Sequence, residues 1–84
     1  MTLSEGQDEQ VDPQSLHEAA WNLYKQRRFA EADKYIRLAA ASGLSDPEFL
    51  YHAGLIAYAV GRKDEALELV KGALALARGQ LKAA

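Results

Sequence analysis

The chain has 84 residues, 49% hydrophobic, 26% charged and 8% aromatic, with a formal net charge of −2 and no cysteine. That length holds one domain of modest stability, and the missing thiols exclude disulfide scaffolds, thiolate metal sites and cysteine nucleophiles. The longest apolar run, Ala53–Gly61, is far short of the roughly 20 residues a membrane helix needs.

The charge is unevenly spread. Glu5, Asp8, Glu9 and Asp12 stand without a base in residues 1–12, while the 10 basic residues all follow. Residues 1–12 bury too little apolar surface to offset the entropy of ordering, so they read as an acidic disordered tail. They have no basic start and no apolar block, so a secretory signal is not expected. Met1 and the acidic leader read as a natural N-terminus, and a cytoplasmic location is the expectation. The nearly neutral remainder makes no electrostatic case for nucleic acid.

Asp12-Pro13 starts a first helix, with Asp as N-cap and Pro at the first helical position. Leu16, Ala20 and Leu23 form its apolar stripe, and the predicted span is 13–27. A second stripe, Phe29, Ala32, Ile36 and Ala39, predicts a helix over 30–42 that ends at Gly43. Asp46-Pro47-Glu48 restarts the pattern, with an acid in the first turn that favours the helix dipole. Leu50, Ala53, Gly54 and Ala57 then predict a third helix over 47–60. Ala66, Val70, Ala73 and Leu74 predict a fourth over 64–78, ending near Gly79, with 81–84 as a short C-terminal tail. Beta-branched residues are scarce, which disfavours strands.

The chain repeats itself. Asp12-Pro13 and Asp46-Pro47 lie 34 residues apart, and sliding by 34 superposes Leu16 on Leu50, Ala19 on Ala53, Tyr24 on Tyr58, Arg28 on Arg62 and Ala32 on Ala66. In all, 9 of 34 positions are identical. A 34-residue helix–turn–helix unit with leucine at its fourth position, small residues at the seventh and eighth and alanine at the twentieth and twenty-seventh resembles the tetratricopeptide repeat. The pattern covers residues 13–80 as two copies, 13–46 and 47–80. It departs at the fifteenth position (Arg27, but Gly61) and at the seventeenth (Phe29, but Lys63), which predicts looser helix pairing in the second copy. The resemblance implies an all-α fold of two antiparallel helix-turn-helix hairpins, stacked as a short right-handed superhelix.

In that family the first helix of each pair lines a concave groove for peptides or helices. Carried across by position, the groove presents His17, Trp21, Tyr24 and Lys25, then Tyr51, Leu55 and Tyr58. Three of the four tyrosines and the only tryptophan would cluster there, and large stiff rings are the usual anchors of interfaces. The family's carboxylate clamp has lysine at the fifth position and asparagine at the ninth of its first repeat, and a further asparagine at the ninth of its second. Here those positions hold His17, Trp21 and Leu55, so capture of chaperone C-termini is not implied.

Other chemistry is thin. His17-Glu18 begins a zinc motif that fails at Trp21. Glu48 and His52 share a helix face but lack a third ligand, so no metal or cofactor is expected. Lys25, Arg27, Arg28, Arg62 and Lys63 form basic turn edges that read as solvated. No serine has the setting of a nucleophile elbow, and enzyme activity is not expected. The fourth helix is apolar over a wider arc than packing one face requires. Leu67, Leu74 and Leu81 on that arc point to self-association or docking through an uncapped end. The expectation is therefore a non-catalytic protein-interaction module. The alternative is an assembly subunit that docks through its last helix.

Overall fold

The computed structural model describes the backbone of residues 12–83 and the side chains of residues 12–80. The acidic tail expected over residues 1–12 lies, apart from Asp12, outside the described residues. Four helices follow in order: α1 (Pro13–Lys25), α2 (Phe29–Ala41), α3 (Pro47–Ala59) and α4 (Lys63–Ala83). Strands are absent among the described residues.

The helix starts follow the expected chemistry with one difference. Asp46 Oδ2 accepts from the Phe49 amide at 3.4 Å, a side-chain cap on α3. Asp12 makes no such bond. Its backbone carbonyl accepts from the Leu16 amide at 3.1 Å, and Pro13 supplies the preset φ that starts α1.

The first three helices end in the same way. After α2, the Gly43 amide donates to the Ala40 carbonyl and the Leu44 amide to the Ala39 carbonyl. After α3, Gly61 and Arg62 repeat those bonds to Tyr58 and Ala57. Both glycines have φ 96°. After α1 the same pair of bonds is made by Arg27 and Arg28 to Tyr24 and Leu23, with Arg27 at φ 65°. Arg27 thus occupies the left-handed position a glycine normally takes, and α1 stops two residues before its predicted end.

The fourth helix ends later than expected. It continues through Gly79 to Ala83, so residues 81–83 belong to α4 rather than to a tail. A glycine ends a helix only where it turns to positive φ, and Gly79 does not. The residues after it, Gln80-Leu81-Lys82-Ala83, are good helix formers.

The helices pair as two tightly packed hairpins, α1 with α2 and α3 with α4, which touch each other less extensively. Alanines permit the close approach inside each hairpin: Ala20 and Ala32 in the first and Ala57 and Ala66 in the second are buried. The looser pairing expected of the second hairpin is not found, and α3 and α4 pack at least as extensively as α1 and α2. Gly54 explains this. A Cβ there would lie 2.7 Å from Val70 Cγ2 and 3.2 Å from the Ala66 carbonyl oxygen.

The hairpins are joined by a face of α3 on which the repeat pattern singled out Ala53 but neither Phe49 nor Ile56. Phe49 and Ile56 are the two largest fully buried side chains. With Ala53 they pack on Ala20, Ile36 and Ala39 of the first hairpin. Their spacing of four and three puts all three on one face of α3.

Candidate functional site

Six of the seven residues expected to line one groove fall into two places, and Lys25 stands in neither. The first is an aromatic stack where α1 meets α3. The Trp21 ring lies 3.7 Å from the His52 ring at an interplanar angle of 7°, and 4.8 Å from the Tyr24 ring at 10°. Tyr24 leans in turn on Phe29. His17, expected to line the groove, is only 6% exposed. Its ring stands edge-on to Phe49, and its Nε2 lies 2.8 Å from Nδ1 of His52. One imidazole must donate there and the other accept.

Burial pushes the His52 pKa below its ordinary value of 6.5. The facing His17 and the nearby Lys25 act in the same direction, against Glu48 and Asp46, which favour the charged form. The bond needs one of the two rings to be neutral and accept, and a neutral His52 meets that need. The stack borders a shallow cavity of about 330 Å³, walled also by Gln14, Glu18 and Glu48. Lys25 is exposed at the end of α1. Among the described residues no group of three His, Cys, Asp or Glu side chains could hold a metal ion.

The second place is the outer face of the second hairpin. Leu55 and Tyr58 of α3 border an apolar groove of about 450 Å³ with Leu67 and Val70 of α4. Tyr51 borders its continuation with Val70, Leu74 and Ala77. Tyr58 is 61% exposed, Leu67 54% and Leu74 52%. Leu81 lies beyond the described side chains.

This groove has a counterpart inside the molecule. Sliding by 34 residues carries Ala20, Ile36 and Ala39 onto Gly54, Val70 and Ala73. In the first hairpin that surface is filled by Phe49, Ala53 and Ile56 of α3. In the second, Gly54 and Ala73 are buried within their own hairpin, and the groove beside them, bordered by Leu55, Tyr58, Leu67 and Val70, is left unfilled by the described residues.

Sequence reasoning missed a polar link between the hairpins. Arg62, expected on a solvated basic edge, donates through Nη2 to Asp33 Oδ1 at 2.6 Å and through Nη1 to Oδ2 at 3.2 Å. It also donates to Glu65, as Arg28 does to Glu31 one repeat earlier. Burial raises the Asp33 pKa, but the hydrogen bonds and charges of Arg62 and Arg37 outweigh it and hold the carboxyl below its ordinary value of 3.8. Asp33 also bonds Arg37 within α2. The second-hairpin counterpart of Asp33 is Leu67, so the open groove lacks the acid that the filled one uses. The only sequence signal for this change was the mismatch of an acid with a leucine at equivalent positions.

No protein-family model, curated protein or solved structure matches the chain. No helix among the described residues is long and apolar enough to cross a membrane.

Proposed function

We propose that the chain is a non-catalytic protein-interaction module of tetratricopeptide type. Its two hairpins form the first step of a right-handed superhelix, and its working surface is the outer face of α3 and α4. The ligand class is an amphipathic helix or peptide with bulky apolar anchors. One observation carries this reading. The same groove occurs twice, and in the first hairpin its occupant is an amphipathic helix, α3, that inserts Phe49, Ala53 and Ile56. The second groove has equivalent small and branched residues at Gly54, Val70 and Ala73, with Leu67 in place of the acid Asp33, and no helix of the described residues fills it.

Tyr51, Leu55 and Tyr58, three of the seven residues the family resemblance gives to a concave groove, border that face. Tyrosines suit such a site because a stiff ring buries a large area and its hydroxyl still finds a polar partner. Trp21, Tyr24 and His17 serve instead to stiffen the junction of α1 with α3, since their rings are engaged with His52, Phe29 and Phe49.

Selection of a displayed helical-peptide library on the immobilised full chain tests the proposal. Enriched peptides should carry a large apolar residue, a small one four positions on and a large one three further. Their binding should be lost in Leu67→Glu and Tyr58→Glu variants of unchanged helicity. Peptides that bind those variants as tightly as the parent would overturn the assignment.

A further inference from the structure

We propose that the occupant of the open face is a second copy of the chain, held by antiparallel packing of α4 on α4 about a two-fold axis. This rests on the assignment of the α3–α4 face as the interaction surface and goes beyond it by naming the partner.

The seam comes first. Leu67, Val70, Leu74 and Ala77 follow one another at spacings of three, four and three, the pattern of a helix that packs lengthwise on another helix. Ala66 and Ala73, one residue before Leu67 and Leu74, are buried. Ala66 lies against Gly54 of α3. The seam therefore runs beside α3 with its leucines exposed, and a second α4 laid on it also meets Tyr51 and Leu55.

Charge decides the orientation. Asp64, Lys71 and Arg78 follow at intervals of seven along the edge of the seam away from α3. All three are exposed, and none forms an ion pair among the described residues. An antiparallel pair centred near Lys71 sets Asp64 beside Arg78 of the second copy, twice by symmetry. Lys71 then meets Lys71 of the second copy, with Glu68 three residues before it on each chain to offset the repulsion. A parallel pair would set these edges against Ala66, Ala73 and Gln80 and leave the charges unmatched.

Length agrees with that register. α4 has 21 residues and α3 has 13. At 1.5 Å per residue, α4 runs roughly 12 Å past α3. In the antiparallel pair this extension lies over Leu67 and Tyr58 at the loop end of the second copy's hairpin.

Head-to-tail stacking is disfavoured by the first hairpin. To fill the groove as α3 does, α1 of another copy would have to present Ser15, Glu18 and Asn22 where α3 presents Phe49, His52 and Ile56. Those three α1 residues are polar and exposed. The contact is therefore one apolar face on an identical face, which closes at two copies.

Sedimentation equilibrium of the full chain, up to about 500 µM, tests the proposal. A monomer–dimer equilibrium is expected, weakened roughly 30-fold or more by Leu74→Lys at unchanged helicity. Asp64→Arg and Arg78→Asp should each weaken it about threefold to tenfold, and the double swap should restore it to within about twofold. A chain that stays monomeric over the whole range, a dimer indifferent to Leu74→Lys, or a double swap without rescue would each overturn the proposal. A monomer that still binds selected peptides through Leu67 and Tyr58 would overturn the dimer alone. Failure of the peptide experiment with a dimer that obeys the charge swap would overturn the broader module assignment alone.

Discussion

Asp33 on α2 and Arg62 at the head of α4 form a two-point ion pair that spans the two hairpins, with N–O distances of 2.6 and 3.2 Å. Paired parallel N–H donors on one carboxylate give direction as well as attraction. Phe49 and Ile56 supply the buried apolar part of the contact between the hairpins. Because the side chains of Asp33 and Arg62 are partly shielded from water, Arg62→Ala should lower stability by about 1–2 kcal/mol. Urea unfolding monitored by circular dichroism measures the loss. A change no larger than that of Arg28→Ala, which removes only an exposed pair at the start of α2, would contradict the bridging role.

Acid should weaken the fold in two stages. His52 has its pKa lowered in the folded chain, so the unfolded chain takes up its proton first. Its stabilising contribution is complete above about 6.5 and is lost as pH falls from there toward the depressed folded value. Asp33, also lowered, contributes fully above about 3.8 and its contribution is lost as pH falls further through its folded value. The urea midpoint should therefore drop between neutral pH and pH 5 and again in strong acid. Proton NMR of the imidazoles should show His52 titrating below 6.5. A His52 transition at or above that value would refute the assignment.

Two glycines in helices should respond in opposite directions. Gly79→Ala meets nothing within 4 Å and should stabilise by about 1 kcal/mol, the ordinary helix preference of alanine over glycine. Gly54→Ala drives a methyl to 2.7 Å from Val70 Cγ2 and should destabilise by about 1–3 kcal/mol despite that preference. Thermal unfolding of the two variants side by side distinguishes a packing glycine from a free one.

Arg27→Gly should stabilise the chain by about 1 kcal/mol, because Arg27 holds a left-handed conformation at φ 65° that costs a side-chain-bearing residue energy. Its guanidinium stands 6.0 Å above the Phe29 ring, and loss of that contact offsets part of the gain. A lower melting temperature for the variant would show that the contact outweighs the strain.

What the residues alone determined is the repeating local structure. Asp-Pro starts, apolar stripes at helical spacing and the 34-residue self-similarity placed four helices and divided them into two hairpins, because capping and amphipathic periodicity are local properties of the chain. They also grouped Tyr51, Leu55 and Tyr58 with His17, Trp21 and Tyr24 in one groove, which the structure divides in two. What the tertiary structure decided is which equivalent surfaces become covered. His17 and Tyr51 hold the same repeat position, yet one is buried against Phe49 and His52 and the other is exposed. Asp33 and Leu67 are also equivalent, yet one binds Arg62 and the other faces solvent. No local rule separates these pairs, because the difference lies in whether another hairpin follows in space.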